Sequence, residues 1–292
     1  MVIIIGSRKQ KWRIRMSKSS TVIVERDSPR LASITFSNPP ANVTVGETVA
    51  RLAGILGEFE KDSDLQVVIF KSAVPDFFLN HFDLAAIGDL PVAEKGALPV
   101  WTDLVVRLTK ARFISIASIR GRTRGAGNEL ALACDLRYAS LEKAMFGQPE
   151  VGAGLLPGGG GTERLPRTIG RDRALEAILS SSDYDAELAE RWGWVTRALP
   201  DAELDGFVDA MAARLASFDK TSLATAKAMI NRATLPPEAD LVGAFYDFAK
   251  SLTLPGFTAR AAGTKVMSAE EFVEFELHMG EYIGIANQRA AS

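Results

Sequence analysis

The sequence is poor in the residues that build disulfide frameworks and common metal sites. It contains one cysteine, Cys134, and two histidines, His81 and His278, among 292 residues. A single cysteine excludes an intrachain disulfide framework and favours a reducing compartment, so we predict a cytoplasmic protein. Two distant histidines and one cysteine cannot supply a typical zinc ligand set, and the sequence therefore predicts no metal site.

The chain also lacks an excess of charge of one sign. Its 34 basic and 36 acidic side chains give a formal net charge of −2, which predicts neither a nucleic-acid nor a membrane partner. The apolar run at residues 1–5 is too short to span a bilayer, and basic residues follow it instead of preceding it as in a secretory signal. With 47% hydrophobic residues, the chain is long enough to bury a substantial core.

Residues 1–20 form a basic segment without an acidic residue, which we predict to be a disordered tail. The residues around Met16 resemble an ordinary protein start, so residues 1–15 are expected to be dispensable. Binding of this tail to a nucleic acid such as RNA, or to anionic lipid, is the alternative that its charge leaves open.

Hydrophobic periodicity predicts alternating strands and helices over much of the chain. Segments typical of strands occur at residues 21–25, 31–36, 67–70, 114–119, 136–139 and 195–198. Helical spacing of apolar residues begins near Val49 and recurs at residues 101–111. This alternation indicates an α/β fold, with a core at residues 21–216.

Helical patterns dominate after residue 162. They cover residues 171–179, 186–192, 202–216, 222–232, 238–251 and 269–278. We assign residues 217–292 to a C-terminal helical region, and no repeat of 20–50 residues is evident.

Two glutamates in apolar surroundings, Glu129 and Glu150, are the main candidates for chemistry. Each follows a turn that contains glycine, and burial disfavours a lone carboxylate unless its charge is used or shared. Taken singly, Glu129 would more simply be a first-turn residue whose negative charge interacts favourably with the helix dipole. Glu150 would more simply be a solvated turn residue. Because one short strand-like segment separates them, the two carboxylates are predicted to converge at one end of a sheet.

The turn Gly125-Ala126-Gly127 leads into a predicted helix and provides a second chemical feature. Free backbone N–H groups at a helix start bind negative charge, and here they would form an oxyanion hole. The same glycines do not fit a dinucleotide-binding motif, since Leu130 occupies the third glycine position.

Four segments together resemble the enoyl-CoA hydratase/isomerase (crotonase) superfamily, and they lie at residues 114–121, 125–135, 146–150 and 156–167. The resemblance implies a ββα superhelical core and an acyl-CoA substrate, with no cofactor beyond its coenzyme A. It also implies homotrimers that often pair into hexamers, with the C-terminal helices at the interface and over the acyl site. By this resemblance Glu129 and Glu150 are catalytic, and the backbone N–H groups of Phe82 and Ala126 form the oxyanion hole.

The sequence departs from the family pattern in the loop Asn80-His81-Phe82-Asp83, where relatives usually carry Ala-Gly-Ala-Asp. Its bulky side chains are predicted to narrow the acyl pocket. His81 and Asp83 are possible substrate contacts, although His81 is more simply a loop residue that packs or faces water. Ala126 stands where a glycine is usual and fits only with a negative φ.

The run at residues 158–161 is predicted to be a tight turn into a helix capped by Thr162. The function predicted overall is hydration of a 2-enoyl-CoA, since the family's isomerases commonly need one carboxylate and this chain has two. Isomerisation of a double bond, hydrolysis of a CoA thioester or a β-diketone, and a non-catalytic acyl-CoA- or RNA-binding role remain the alternatives.

Overall fold

The computed structural model of the protein describes residues 12–13, 21–95, 97–262 and 267–291. Most of the predicted tail, residues 1–20, lies outside these ranges, and only Trp12–Arg13 is described as a two-residue strand against the first long strand. No helix in the described ranges combines the length and apolar character needed to cross a bilayer.

The described residues form two β-sheets. The strands are β1 Trp12–Arg13, β2 Val22–Ser28, β3 Leu31–Phe36, β4 Val67–Ser72, β5 Phe77–Leu79, β6 Ile114–Ile119, β7 Arg122–Arg124, β8 Leu136–Ser140, β9 Met145–Gly147, β10 Asp183–Asp185 and β11 Arg197–Leu199. The large sheet has the order β1-β2-β3-β4-β6-β8-β11, and the small sheet has the order β10-β9-β7-β5. Neighbours from β3 to β11 are parallel, as are β5, β7 and β9.

Helices connect the strands and make up the C-terminal region. They are α1 Gly46–Phe59, α2 Val100–Lys110, α3 Ala126–Ala133, α4 Gly161–Ile169, α5 Arg171–Ser180, α6 Ala186–Trp192, α7 Asp201–Ala216, α8 Lys220–Thr234, α9 Glu238–Ser251, α10 Pro255–Ala262, α11 Ala269–Leu277 and α12 Met279–Ala291. Two 3₁₀ turns occupy Leu84–Asp89 and Val151–Ala153.

A repeated ββα unit organises the core. After each of β4, β6 and β8 in the large sheet, the chain enters β5, β7 or β9 of the small sheet and then leads into a helix. These helices are α2, α3 and α4, respectively. The predicted α/β class and ββα superhelix are therefore confirmed.

Apolar residues of the large sheet pack on both of its faces. Along β4, Val68 and Phe70 belong to the main core between the sheets and helices, while Val67 and Ile69 face a second cluster that includes Leu204 of α7. Burial on both faces explains why this strand reads as a continuous apolar run instead of an alternating one.

The C-terminal helices largely follow the predicted pattern. The helix predicted at residues 238–251 is α9 with the same bounds, and the one at 269–278 is α11, which is one residue shorter. Helices α10 and α12 were not predicted. Ser268 caps α11 through a reciprocal pair of bonds with Glu271, which defines where this helix starts.

Candidate active site

The predicted site residues lie at one edge of the small sheet. Strands β5, β7 and β9 are parallel neighbours, so their carboxyl ends meet at the same edge. The segments that follow these three strands carry Phe82, Ala126 and Glu150, and Glu129 lies in the first turn of α3. The sheet thus brings together residues that are distant in the sequence.

Glu129 is a buried carboxylate that backbone amides hold in place. Glu129 is only 1% exposed to solvent. Its Oε1 accepts hydrogen bonds from Gly159 N at 2.7 Å and Gly161 N at 3.2 Å. Burial raises the pKa of Glu129 to about 7, although these two N–H groups act to lower it. The carboxyl group can therefore gain or lose a proton near neutral pH.

The glycine run at residues 158–161 supplies two hydrogen bonds to Glu129 and also provides the N-cap of α4. Helix α4 begins at Gly161, and Gly160 at its N-cap has a φ of 102°, a conformation that favours glycine. Thr162 lies inside the helix and donates its hydroxyl proton to Glu163 at 2.8 Å, so the predicted Thr162 cap is wrong. The physical reason is that Gly160 takes the cap position while its neighbours turn their N–H groups toward the carboxylate.

Glu150 is the second buried carboxyl group of the site. Burial raises its pKa to about 8, and the nearby charge of Glu129 raises the pKa further in the same direction. Its Oε1 accepts a hydrogen bond from Gln148 Nε2 at 3.1 Å. Its Oε2 is buried and has no hydrogen-bond partner among the described residues, which leaves that oxygen available to a substrate or water.

A chain of buried polar side chains orients Gln148. Trp194 Nε1 donates to Asn128 Oδ1 at 2.8 Å, and Asn128 Nδ2 donates to Gln148 Oε1 at 2.6 Å. Because the carbonyl end of Gln148 is occupied in this way, its NH₂ group faces Glu150. Sequence reasoning does not identify Asn128 or Gln148, although a polar residue one position before Glu129 and two positions before Glu150 is a usable signal.

Two backbone N–H groups at this edge donate no hydrogen bond to another residue in the described ranges. Thr44 N donates to His81 O at 2.8 Å and Asp83 N donates to Thr44 O at 2.9 Å, which turns the intervening Phe82 N–H away from this pairing. Ala126 opens α3, where the first N–H groups have no partner within the helix. Its φ is not positive, so alanine fits at this position.

The bulky side chains of residues 80–83 occupy defined places. The Phe82 ring packs edge-on against Trp101, with ring centroids 5.2 Å apart, and also contacts Phe248 at 6.3 Å. Asp83 caps the following 3₁₀ turn by accepting Ala85 N at 2.9 Å. His81 forms an ion pair with Glu276 of α11 at 3.1 Å.

The remaining candidates for chemistry are less suited to it. No three His, Cys, Asp or Glu side chains in the described parts of the chain are grouped as metal ligands would be. Cys134 follows α3 and is buried, and burial together with the charge of Asp135 raises the pKa of its thiol to about 12. The thiol is therefore protonated at neutral pH and is a poor nucleophile.

Comparison with known proteins relates this chain to a family. The profile of the family described as enoyl-CoA hydratase/isomerase matches residues 26–251. The chain is 34% identical, over 208 residues, to a mitochondrial protein of Dictyostelium discoideum assigned as an enoyl-CoA hydratase, covering 69% of this chain and 72% of that one. It is 32% identical to the short-chain-enoyl-CoA hydratase of Clostridium acetobutylicum over 215 residues, covering 73% of this chain and 82% of the relative.

A solved structure extends the similarity to most of the fold. A Streptomyces avermitilis protein assigned as an enoyl-CoA hydratase superposes with a TM-score of 0.84 at 39% identity, covering 92% of this chain and 98% of that one. The family match spans both ββα units that carry Glu129 and Glu150. The chain therefore belongs to the enoyl-CoA hydratase/isomerase family.

Proposed function

We propose that the protein is an enoyl-CoA hydratase, which adds water across the double bond of a 2-enoyl-CoA. The observation that carries this proposal is the pair Glu129 and Glu150, two buried carboxyl groups with pKa values near 7 and 8 that interact with each other. Such a pair shares one proton near neutral pH, so one member can accept a proton while the other donates one.

The proposed reaction assigns each group one task. The N–H groups of Phe82 and Ala126 hold the thioester oxygen, on which negative charge develops. Glu129 takes a proton from water as the water oxygen bonds to the β-carbon, and Glu150 gives a proton to the α-carbon. The product is a 3-hydroxyacyl-CoA, and the two carboxyl groups end with the proton on Glu129 instead of Glu150. Coenzyme A enters only as part of the substrate.

Product masses test this proposal against the other reactions of the same enolate. The protein is incubated with but-2-enoyl-, hex-2-enoyl- and dec-2-enoyl-CoA, and the products are identified by mass spectrometry. Hydration adds the mass of one water, isomerisation leaves the mass unchanged, and thioester hydrolysis releases free coenzyme A. We expect the hydrated product. No turnover of any of these substrates would contradict the proposal and favour a binding protein.

The aromatic cluster of Phe82, Trp101 and Phe248 predicts a preference for short acyl chains. All three side chains are buried, and the resemblance to the family implies a small residue where this chain has Phe82. Replacing Phe82 by alanine keeps the backbone N–H and removes the ring. We expect kcat/KM for dec-2-enoyl-CoA to rise at least about tenfold relative to but-2-enoyl-CoA, because each additional buried methylene contributes roughly 0.8 kcal/mol.

Phe245 offers a matched control, since it also belongs to an aromatic pair with Phe248 but does not contact Phe82 or Trp101 in the described ring contacts. Phe245→Ala should leave the chain-length preference unchanged. An equal change in both variants would show that the preference reflects general loosening of α9 instead of the volume of the Phe82 ring.

We also propose a cytoplasmic homotrimer or dimer of trimers, with the C-terminal helices at the interface. Met229 and Ile230 of α8 and Tyr246 of α9 support this proposal, because they are large apolar side chains that are 57%, 63% and 60% exposed. Coverage of the site by the C-terminal region is supported by Glu276 of α11, which reaches the loop that carries Phe82.

A further inference from the structure

The His81–Glu276 pair joins the C-terminal helix α11 to the loop that presents Phe82 N–H. His81 Nε2 lies 3.1 Å from Glu276 Oε1 and 3.2 Å from Oε2, and His81 Nδ1 lies 2.8 Å from the carbonyl oxygen of Phe82. A carbonyl oxygen and a carboxylate can only accept hydrogen bonds. Both ring nitrogens therefore donate, and the geometry describes a doubly protonated, positively charged imidazole.

Glu276 is well placed to keep this charge on His81. It is only 1% exposed, and its Oε2 accepts a second hydrogen bond from Asn80 Nδ2 at 2.9 Å. The main-chain carbonyl of Glu276 accepts a hydrogen bond from Arg124 Nη1, which ties the helix to the strand before the Gly125 turn. A buried carboxylate held by two donors from one loop restricts both the loop and the helix.

The His81 side chain lies close enough to Glu150 for its charge to act on that carboxyl group. Gly125, with a φ of 52°, separates them, and a Cβ atom at this glycine would be 2.9 Å from both Glu150 Oε1 and His81 Cβ. Two charged groups act on His81, namely Glu276 on α11 and Arg124 on β7, and His81 acts in turn on Glu150, which follows β9. Asp183 on β10 faces Arg124 and accepts two hydrogen bonds from it.

Electrostatics agree with the hydrogen-bond geometry. Burial acts to lower the pKa of His81, but the charge and hydrogen bond of Glu276 outweigh it and raise the pKa to about 9. The charge of His81 in turn lowers the pKa of Glu150 and so opposes the effect of Glu129. A proton donor with a lower pKa releases its proton more readily.

We propose that the His81–Glu276 ion pair is a positioning element of the active site, which places a fixed positive charge beside Glu150 and holds the loop that carries the Phe82 N–H. Its role in catalysis rests on the proposed hydratase function, and its effect on Glu150 does not. Helix α11 thereby completes the site of the core domain. His81 acts through Glu150 and the Phe82 loop, without contact with the reacting atoms.

Titration by NMR tests the charge directly, without any substrate. The chain has only two histidines, so His278→Gln assigns the His81 imidazole signals unambiguously. We expect His81 to titrate near pH 9 in the wild type and below about pH 6.5 in Glu276→Gln, where the charge of Glu276 no longer opposes the effect of burial. With ¹³C-labelled glutamate, His81→Gln should move the Glu150 titration to higher pH by about one unit.

Kinetics with but-2-enoyl-CoA test the consequence for catalysis. Both His81→Gln and Glu276→Gln should lower kcat about tenfold at pH 7, change KM less, and shift the pH optimum upward. The double variant should be no worse than either single variant, because the two residues act as one unit. Ser268→Ala is the matched control: it removes the cap of α11, which should lower the melting temperature without moving the pH optimum.

The outcomes separate this proposal from the hydratase assignment. If the wild-type protein shows no turnover but the expected NMR shifts are present, the hydratase function is refuted and the effect of the His81 charge on Glu150 still holds. The ion-pair proposal fails if His81 titrates near pH 6.5 in the wild type, or if His81→Gln leaves the Glu150 titration in place. It also fails if Ser268→Ala shifts the pH optimum as His81→Gln does.

Discussion

Replacing Glu150 by glutamine is expected to lower kcat/KM for hydration of but-2-enoyl-CoA by about 1000-fold and to raise the melting temperature at pH 9. The loss of activity follows because glutamine has nearly the same shape but cannot donate a carboxyl proton to the α-carbon. Gln148 can still donate its hydrogen bond to the side-chain carbonyl at this position, so the local fold should be kept.

The gain in stability follows from the direction of the pKa shift. In the unfolded chain Glu150 titrates near 4.5, whereas burial and Glu129 raise its folded pKa to about 8. The folded protein therefore binds the proton more tightly, and its free energy of unfolding falls as the pH rises from 4.5 through 8. This destabilisation is fully present above pH 8, and glutamine removes it, which should contribute at least about 2 kcal/mol at pH 9.

Melting curves at pH 5 and pH 9, together with initial rates at pH 7, measure both effects. Since roughly 1 kcal/mol corresponds to 2–4 °C in a chain of this size, we expect Glu150→Gln to melt at least about 4 °C above the wild type at pH 9 and close to it at pH 5. Glu58→Gln, on the exposed side of α1, is the control and should change neither quantity. Wild-type activity in Glu150→Gln would remove Glu150 from the proposed mechanism.

Long, periodic elements of this fold are predictable from the sequence. Strands β3 and β6 lie at the residues predicted for them, because each carries an uninterrupted apolar or alternating pattern. The three-residue strands β5, β7 and β9 are too short to show a period of two. The sequence therefore indicates Glu129 and Glu150 through their motifs and predicts that they converge, but its periodicity does not reveal the small sheet at whose edge they lie.

Contacts between distant segments are the part of the site that sequence patterns do not reveal. Glu276 is one of several glutamates in the sequence of α11, and nothing in the local pattern distinguishes it from the others. In the structure it is nevertheless buried against His81. The sequence favours a packing or solvated loop residue at position 81, whereas the structure gives His81 an ion pair with Glu276. Both assignments depend on tertiary placement of α11, which local spacing cannot specify.

The glycine run shows the same limit on a smaller scale. Composition predicts a turn at residues 158–161, and the turn is present before α4. Composition does not predict the direction of the backbone N–H groups in this turn, two of which point at Glu129. A turn that also binds a buried carboxylate tolerates side chains far less than a turn that only reverses the chain.

Gly159→Ala is accordingly expected to lower kcat/KM at least about 100-fold and to destabilise the fold. A Cβ atom at this position would lie 2.1 Å from Trp101 Nε1 and 2.2 Å from Glu129 Oε2, far inside contact distance. Both neighbours are buried, at 2% and 1% exposure, so neither can move into solvent. Overpacking of this kind costs about 1–3 kcal/mol, and displacement of the carboxylate removes the base from its position.

Gly54→Ala supplies the matched control for this variant. Gly54 lies within α1, and outside the backbone of that helix no atom of the described residues lies within 4 Å of an added Cβ atom. Alanine should therefore stabilise the helix by up to about 1 kcal/mol and leave activity unchanged. Melting temperature and kcat/KM for but-2-enoyl-CoA, measured on both variants, separate the effect of the methyl group from its location. Full activity in Gly159→Ala would mean that the added methyl group does not displace the Glu129 carboxylate, or that the base does not need this position.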